Sequence, residues 1–574
     1  MADYTLAINP CVGHLGSHDP SAILFNNGEL VFGVEEERFV RDKHAENTFP
    51  TRSIHACLDH CDIGLGQVGE VLVPWEPRLF RRMFSYNISQ AVTQPDGVMR
   101  KFDEVEWATK HAIIPVIYAK RKIRENLAAI SDNVPPIRTY EHHECHAASA
   151  FHPSGFDEAL VVTLDGRGEY DCTVVWRGTP SGVERIETYE YPNSLGFFYG
   201  AVTKFLGYYP NNGEGKVMGL APYGNRNEAI EQKLREVIDI GLDYDVTALS
   251  RGNFEYGTKQ LEELFDRSRK EHTDQFSQWE KDLAHVTQRL VEEIVTEIVD
   301  EYCDRLGMSR VCLAGGVALN CKMNKQIMEL DSVDETFVQP VSNDAGSAVG
   351  AGFLDAGVQN TDPMSTVYWG PSYDVEGIKA KLEKNKIPYS EPENVTKTIA
   401  EALADGHLVG WFQGRLEMGP RALGNRSILA DPRSTESLDR VNKYVKHREE
   451  WRPFAPSLLE EAADEYLINP EKAPYMIKTF DTVDEKVTEI PAVLHPADDT
   501  TRPQTVREDQ NPRYYELIQQ FEEITDVPFV LNTSFNDHGE PIVNTPVEAI
   551  KDFYGMGLDV LVLEDVVIEK RAVK

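Results

Sequence analysis

Apolar and polar positions near the N-terminus predict a strand followed by a β-hairpin. Thr5–Asn9 is a short apolar run, and the runs Ser21–Phe25 and Leu30–Val34 flank the turn Asn26-Asn27-Gly28. Asn-Gly between two β-rich segments is a strong hairpin signal. A polar loop separates the first strand from this hairpin.

A second unit of the same kind follows later in the chain. The predicted strands Ala159–Leu164 and Cys172–Trp176 flank the polar loop Asp165-Gly166-Arg167-Gly168-Glu169. Two hairpins, each with a polar loop beside a strand, indicate an internally duplicated nucleotide-binding fold. Such hairpins also occur in many other α/β proteins.

A helix, a strand and paired glycines follow in the next region. The apolar positions from Leu283 to Ile298 recur on one helical face, and the helix is expected to end near Gly307. A strand at Arg310–Ala314 leads into Gly315-Gly316 and a second helix. Backbone N–H groups at such a junction can approach a nucleotide closely. An ordinary β–α turn explains the spacing equally well.

The chain has 574 residues, which is too long for one ordinary core, so two domains are expected. Gly357–Pro363 has the composition of a linker, and a new α/β pattern starts near Tyr368. We therefore expect domains at residues 1–364 and 365–574, both of the α/β class.

Charge and hydropathy narrow the class of protein. The net charge is −36, which repels nucleic-acid backbones and is typical of proteins in a salt-rich cytoplasm. The N-terminus lacks a signal-peptide pattern, and no apolar run approaches the ~18 residues of a membrane span. We expect a soluble, cytoplasmic protein that binds neither nucleic acid nor membrane.

The eight cysteines are scattered, and free thiols are expected rather than a disulfide framework. Cys57 and Cys61, with His55 and His60 nearby, lie in a helical pattern without a second ligand pair at zinc-finger spacing. A packed helix face is favoured over zinc here.

Two histidines four residues apart predict a metal site in the first domain. His142 and His146 lie in the segment HHECH, and the alanines after it favour a helix on which both rings share one face. Asp165 ends the strand ALVVTL and Asp344 opens the pattern AGSAVGAGFL, so both are candidate carboxylate ligands. Such a set suits Fe²⁺, Zn²⁺ or Mn²⁺ better than Ca²⁺ or Mg²⁺. The alternatives are a polar helix face and, for Asp344, a helix N-cap.

A basic island predicts an anion site in the second domain. Residues 415–452 contain nine basic and six acidic residues in a chain that is strongly acidic overall. Arg421 and Arg452 lie in the stiff segments GPRALG and WRPFAP, which suit bidentate binding of phosphate. An ion-paired surface is the alternative, and it explains Arg433 and Arg440 well.

Together these segments resemble the NodU/CmcH family of O-carbamoyltransferases along nearly the whole chain. The strings that carry the resemblance include HDPSAIL, EEERFVRDKH, HHECHAASAF, LDGRGE, GKVMGLAPYG, AGGVALN, GPRALGNRSILADPR, WRPFAPS, TRPQTV and LNTSFNDHGEPIV. The resemblance implies an N-terminal actin/sugar-kinase-type (ASKHA) duplicated domain followed by a C-terminal YrdC-like α/β domain.

The resemblance also implies a two-step chemistry. In the C-terminal domain, carbamoyl phosphate and ATP, the latter with Mg²⁺, would give carbamoyl-adenylate with release of pyrophosphate and phosphate. In the N-terminal domain, the carbamoyl group would pass to a hydroxyl of a small molecule, such as a sugar or natural product, with release of AMP. A homodimer is compatible with the sequence.

Site residues carry over motif by motif. The resemblance implies Fe²⁺, or another divalent metal, bound by His142, His146, Asp165 and Asp344. His18 matches the candidate general base for the acceptor hydroxyl, and Lys43 would lie over the acceptor or the carbamoyl oxygen. The adenylate of the N-terminal domain would contact Asp165, Gly166, Arg167, Gly168, Ser194, Leu195, Gly196, Gly316 and Asn320. The carbamoyl phosphate and ATP site would use Arg421, Lys446, Arg452, Arg502, Asn532, Ser534 and Asn536.

The N-terminal loop at residues 9–16 departs from the antibiotic-modifying members of that family, which leaves the acceptor open. Three other functions compete. A tRNA threonylcarbamoyl-type enzyme is disfavoured by domain order and by the lack of a basic RNA face. A hydrogenase-maturation enzyme would carry an acylphosphatase segment and paired CxxC motifs, which this sequence lacks. A non-catalytic nucleotide-binding regulator is disfavoured because the candidate site residues are intact.

Overall fold

The protein is seen here in a computed structural model, which describes residues 3–12, 15–83, 85–86, 114–251, 254–271, 275–357, 363–449 and 451–570. The architecture is mixed α/β, with two five-stranded sheets, one seven-stranded sheet and one pair of short strands among these residues.

The first apolar run of the chain becomes the central strand of a five-stranded sheet with the order β3-β2-β1-β4-β5. Strand β1 pairs antiparallel with β2 and parallel with β4. At the predicted hairpin turn, Asn27 and Gly28 have φ of 51° and 82°, the left-handed conformation that a tight two-residue turn requires. The strands are β1 (Tyr4–Asn9), β2 (Ser21–Asn26), β3 (Glu29–Glu35), β4 (Val68–Val73) and β5 (Ile137–Thr139).

The second sheet repeats this topology. Read from the β8 edge, its order is β8-β7-β6-β9-β10, so in both sheets the strands are the third, second, first, fourth and fifth of their sheet along the chain. Here β6 pairs antiparallel with β7 and parallel with β9, as β1 does with β2 and β4. The structural duplication predicted from the hairpins is confirmed. The strands are β6 (Ala159–Leu164), β7 (Asp171–Thr179), β8 (Gly182–Glu190), β9 (Arg310–Ala314) and β10 (Glu335–Val338).

Two helices pack closely against each other beside these sheets. They are His142–Phe151 and Asp344–Ala356, and a Cβ on Gly350 would lie 1.7 Å from the carbonyl oxygen of Cys145. Only glycine allows this approach, and it brings the N-terminal ends of the two helices together. The long helix Gln278–Leu306 ends at Gly307 with φ of 64°, as the apolar pattern predicted.

Other helices of this first half, described within residues 3–357, include Glu37–Val40, Thr51–His60, Ile114–Ala128, Leu195–Phe205, Glu214–Leu220, Glu228–Arg235, Thr247–Ser250, Phe254–Phe265 and Cys321–Met328. All eight cysteines lie within the described residues and are free thiols, as predicted. Cys57 is buried in the helix Thr51–His60, which supports a packed helix face.

The second half of the chain is built on the seven-stranded sheet, of order β16-β13-β17-β12-β11-β18-β19. Its core includes the fully buried Trp411 and Phe412. The strands are β11 (Val409–Phe412), β12 (Arg426–Ala430), β13 (Ala455–Leu459), β14 (Phe480–Asp481), β15 (Thr500–Thr501), β16 (Gln504–Val506), β17 (Phe529–Ser534), β18 (Val560–Leu563) and β19 (Val566–Glu569), of which β14 and β15 form the separate pair. The helices are Val375–Lys384, Val395–Ala404, Thr435–Arg440, the π-helix Val441–Lys446, Ala463–Tyr466, Pro512–Thr525 and Pro546–Gly555.

The two halves share apolar contacts. Leu416 and Ala422 pack in a core of the first half, and Met418 and Leu423 pack in another. Residues 358–362 of the predicted linker lie outside the described residues. The boundary at 364/365 therefore stays a prediction. Among the described helices, none combines the length and apolarity that a bilayer span requires.

Candidate functional site

Four side chains predicted as metal ligands converge at one point in the first half. The Nε2 atoms of His142 and His146 lie 3.1 Å apart, and Asp165 Oδ2 lies 3.2 Å from His142 Nε2. Asp344 Oδ1 is 3.6 Å from the same nitrogen. One potential ligand atom from each of the four residues lies within 4.8 Å of the others. We call this group the ligand quartet.

Each member of the quartet is placed by the end of a regular element. Both histidines lie on the helix His142–Phe151, one turn apart, as the spacing predicted. Asp165 directly follows β6, and Asp344 is the first residue of the helix Asp344–Ala356. The N-cap of that helix is Asn343, so the alternative that Asp344 serves as its N-cap is wrong.

The surroundings of the quartet fit a bound cation. Nδ1 of His142 faces the carbonyl oxygen of Pro74 at 3.3 Å, an arrangement that leaves Nε2 as a ligand atom, and the Trp75 ring stacks on the imidazole at 3.9 Å. The two Nε2 atoms point at each other, so one must carry a proton unless a metal lies between them. Burial and the charge of His142 hold the pKa of His146 well below its usual value, which favours the neutral, ligating form.

His18, the candidate base, is held by the carboxylate of Asp19, the next residue in the sequence. Asp19 Oδ2 lies 2.9 Å from His18 Nδ1, and Asp19 Oδ1 lies 2.8 Å from Nδ1 of His44. Burial lowers the pKa of His18, but Asp344 and the Asp19 hydrogen bond outweigh this and raise it to about 10. The protonation state of His18 therefore depends on the charge of the quartet carboxylates Asp344 and Asp165.

Lys43 extends toward the second half of the chain. Its Nζ donates to Asn212 Oδ1 at 2.9 Å, and burial lowers its pKa. The charges that act on it include Arg452 and Lys216 as well as Asp19. Lys43 thus lies between the quartet region and the basic residues of the second half.

Asp165 also organises the predicted adenylate loop. Its Oδ1 accepts from the backbone N–H of Gly166 at 2.8 Å and from that of Gly316 at 3.3 Å. Ser194 Oγ donates to the carbonyl oxygen of Gly166 at 2.6 Å and caps the helix Leu195–Phe205. Asp165 therefore joins this backbone cradle to the ligand quartet.

The remaining predicted adenylate residues lie around this cradle. A Cβ on Gly196 would stand 2.8 Å from Cα of Gly166, so this close approach requires glycine. Asn320 caps the helix Cys321–Met328 and exchanges hydrogen bonds with Gln288. The Leu195 side chain is buried in the core, so a contact between Leu195 and the adenylate would be made by its backbone. Gly168 lies in the same loop, and the guanidinium of Arg167 lies 5.8 Å from the Tyr191 ring centroid.

The second half gathers a cluster of positive charge. Burial and the like charges of Arg502 and Arg452 lower the pKa of Arg421 to about 9. Burial and neighbouring arginines also hold the pKa of Lys446 well below its usual value. Arg448, which the sequence interpretation missed, belongs to the same cluster and stacks 4.0 Å from the Phe454 ring centroid. We call Arg421, Lys446, Arg448, Arg452 and Arg502 the cation cluster.

Neutral polar groups complete this site. Lys446 Nζ donates to Ser534 Oγ at 3.2 Å and to Asn536 Oδ1 at 2.6 Å. Asn532 Nδ2 donates to Ser457 Oγ at 2.9 Å. Glu449 pairs with Arg452 at 3.4 Å and with Lys216 of the first half at 3.0 Å. Hydrogen bonds or charge interactions therefore connect the predicted anion-site residues of the second half, and Arg452 also acts on Lys43 of the first half.

Comparison with known protein families gives matches to both halves. The family model described as Carbamoyltransferase N-terminus matches residues 12–353. The model described as Carbamoyltransferase C-terminus matches residues 400–570. The two matches cover the ligand quartet and the cation cluster, respectively.

Similar proteins span most of the chain. Uncharacterized protein sll1178 of Synechocystis is 36% identical, over 97% of this chain and 95% of its own. Nodulation protein NolNO of Sinorhizobium fredii is 35% identical, over 96% of this chain and 79% of its own. The crystal structure of T. kodakarensis HypF aligns at 13% identity with a TM-score of 0.32, covering 62% of this chain and 48% of that one, which is too distant to support an inference.

Proposed function

Since this chain belongs to the carbamoyltransferase family, we propose that this enzyme transfers a carbamoyl group in two steps, with carbamoyl-adenylate as the intermediate. The observation that carries the proposal is the pair of chemically opposite sites. One offers ligands for a metal cation, and the other offers guanidinium and ammonium groups for phosphates.

The cation cluster is suited to the first step. Carbamoyl phosphate and the triphosphate of ATP, with Mg²⁺, are polyanions, and arginines bind their oxygens in bidentate fashion. Water first hydrolyses carbamoyl phosphate, which releases phosphate and leaves carbamate. A carbamate oxygen then forms a bond to the α-phosphorus of ATP, the bond from that phosphorus to the β-phosphate oxygen breaks, pyrophosphate leaves with its electrons, and carbamoyl-adenylate remains. The repulsion among these cations favours the binding of anions at this site.

The first half is suited to the transfer step. Its repeated strand order supports an actin/sugar-kinase-type domain. The second half would form a YrdC-like domain. The adenylate would lie against the backbone N–H groups near Asp165, Ser194 and Gly316. A divalent ion held by the ligand quartet, Fe²⁺ by resemblance, would neutralise phosphate oxygens there.

His18 would act as the base for the acceptor hydroxyl. The imidazole takes the hydroxyl proton, the alkoxide oxygen bonds to the carbamoyl carbon, and AMP leaves with the former bonding electrons. The raised pKa of His18 opposes this role while Asp344 and Asp165 are uncompensated. Neutralising Asp344 and Asp165 would remove two of the charges that raise the pKa of His18, while the hydrogen bond and charge of Asp19 would remain. An occupied ligand quartet would therefore favour the base role.

The acceptor is a small molecule with a free hydroxyl, such as a sugar or a natural product. The cation cluster would bind the substrates of the activation step, and it lies partly buried. It is therefore a poor surface for nucleic acid. We place the reaction in the cytoplasm, where ATP and carbamoyl phosphate are available.

The test is a half-reaction without acceptor. The enzyme, ATP, Mg²⁺ and carbamoyl phosphate should yield pyrophosphate and phosphate in equal amounts, and omission of carbamoyl phosphate should stop both. A panel of hydroxylated metabolites is then screened for carbamoylated product and AMP. Pyrophosphate release that does not depend on carbamoyl phosphate would contradict the proposal.

A further inference from the structure

The segment Glu35–His44 belongs to the first half but touches loops of the second. It runs from the end of β3 through the helix Glu37–Val40 and a short 3-10 turn at Lys43–Ala45. Some of its charged residues contact the first half, and others contact the segments near residues 419 and 540 of the second half. We call it the connecting segment.

At one end, the connecting segment clamps the backbone before Arg421. Glu35 Oε1 accepts from the N–H of Gly419 at 2.6 Å, and Arg38 Nη2 donates to the carbonyl oxygen of Gly419 at 2.7 Å. Glu35 and Arg38 are 4% and 1% exposed. Gly419 has φ of 104°, a backbone conformation that requires glycine. Its N–H and its carbonyl oxygen are therefore both held by side chains of the first half.

In the middle, Arg41 holds the loop that leads back to Lys446. Its Nη1 donates to the carbonyl oxygen of Ile542 at 2.6 Å, and its Nη2 donates to that of Pro541 at 2.7 Å. The next residue back, Glu540, accepts from Asn536 Nδ2 at 2.5 Å. Because Asn536 Oδ1 in turn accepts from Lys446 Nζ, a continuous chain of contacts joins Arg41 to the cation cluster.

At the other end, the connecting segment supports His18. His44 Nδ1 lies 2.8 Å from Asp19 Oδ1, and the backbone N–H of Asp19 donates to the carbonyl oxygen of His44 at 2.9 Å. Asp19 has one carboxylate oxygen left for His18. Fixing Asp19 from the side of His44 therefore fixes the orientation of the imidazole that would act as base.

We propose that the connecting segment positions both sites: Arg38 and Arg41 position the anion site of the second half, and His44 positions His18 through Asp19. The inference rests on the proposed function, because it assigns the two ends to its two steps. It follows that activation of carbamoyl phosphate requires residues of the first half that touch no substrate.

The test for the first end uses Arg41→Ala, because Arg38 is fully buried and its loss can prevent folding. Losing a charged donor to this loop should raise KM for carbamoyl phosphate about tenfold in the pyrophosphate-release assay. Transfer from supplied carbamoyl-adenylate should stay near the wild-type rate. Arg41→Lys, which keeps the charge and one donor position, should recover part of the loss. Arg121→Ala is the control, because this exposed arginine pairs with Glu125 of its own helix and lies outside the connecting segment.

The test for the other end uses His44→Ala. Pyrophosphate release should be kept, while kcat for transfer from supplied carbamoyl-adenylate falls about tenfold at saturating acceptor. His44→Gln should recover most of the rate, because its amide N–H can donate to Asp19. Both variants share the same left-handed backbone position, so the comparison between them isolates the hydrogen bond.

The outcomes separate this inference from the function it rests on. A wild-type enzyme without carbamoyl-phosphate-dependent pyrophosphate release would overturn both. With an active wild type, an unchanged KM in Arg41→Ala, or an equal loss of both half-reactions in either variant, would overturn the inference alone. An equal loss would indicate a general effect on folding.

Discussion

The ligand quartet and the cation cluster differ in the sign of the charge that they bury: the quartet contains carboxylates, and the cluster contains arginines and a lysine. The quartet buries two carboxylates beside imidazoles, and burial together with the charge of Asp165 raises the pKa of Asp344 to about 6. In the cluster, burial and like charges lower the pKa values of Arg421, Lys446 and Arg448. Each arrangement is costly without a partner of opposite sign, so a cation at one site and a polyanion at the other would offset the cost.

The largest effect is expected from removing two members of the quartet. His142→Ala with His146→Ala should abolish metal binding and acceptor carbamoylation, with metal affinity reduced at least about 100-fold. Pyrophosphate release should persist, because the cation cluster is untouched. Elemental analysis and the two half-reaction assays check this.

His143 provides the matched control for that experiment. It lies between the two ligands in sequence, but its ring nitrogens contact Thr163 Oγ1 and the carbonyl oxygen of Asp171, both at 2.9 Å. His143→Gln should keep the metal. If the double variant still binds as much metal as the wild type, the ligand quartet is not the metal site.

The next effect concerns His18. His18→Asn should slow transfer from supplied carbamoyl-adenylate by ~10²–10⁴-fold, because a positioned base contributes that factor. Metal content and pyrophosphate release should be unchanged. A rate within a few-fold of wild type at saturation would eliminate His18 as the base, and weakened adenylate binding instead would indicate a phosphate ligand.

A moderate effect on stability would sharpen the comparison. Pyrophosphate at 100 times its Kd should stabilise the wild-type protein by about 2.7 kcal/mol, because it binds the folded cation cluster. The shift in thermal unfolding should be largely lost in Arg421→Ala and should persist when a chelator removes the divalent metal. An equal pyrophosphate shift in Arg421→Ala would mean that the anion binds elsewhere.

The smallest effect is expected at a basic residue of the same island that lies outside the cluster. Arg433 pairs with Asp431 at 2.7 Å, as the surface interpretation predicted. Arg433→Ala should leave both half-reactions unchanged and cost at most about 1 kcal/mol of unfolding free energy. Urea denaturation measures the cost, and a loss of pyrophosphate release would extend the anion site beyond the five residues.

The sequence predicted those parts of the site that depend on local spacing. His142 and His146 share a helix face because they are four residues apart, and Asp165 was found because it ends an apolar strand. Strand bounds at Ala159–Leu164 and Arg310–Ala314 were correct for the same reason. These signals lie within one element and need no tertiary information.

The parts that were missed depend on contacts between distant segments. His44 reaches Asp19 from a backbone with φ of 64°, which no periodicity indicates. The sequence gives no sign of the contact between Arg448 and the Phe454 ring. The hydrogen bond from Arg38 to Gly419 joins residues 381 positions apart. The basic island of the sequence therefore indicated an anion site without showing that the first half of the chain supports it.

The central claim, that activation and transfer occur at two sites, is tested most directly by comparing Arg452→Ala with Asp344→Ala in both half-reactions. Arg452→Ala should lower carbamoyl-phosphate-dependent pyrophosphate release by at least about 100-fold, because a charged phosphate partner is lost. It should still transfer the carbamoyl group from supplied carbamoyl-adenylate. Asp344→Ala should release pyrophosphate at a near-normal rate and fail in transfer. Loss of both reactions in both variants would mean a single shared site and would contradict the account.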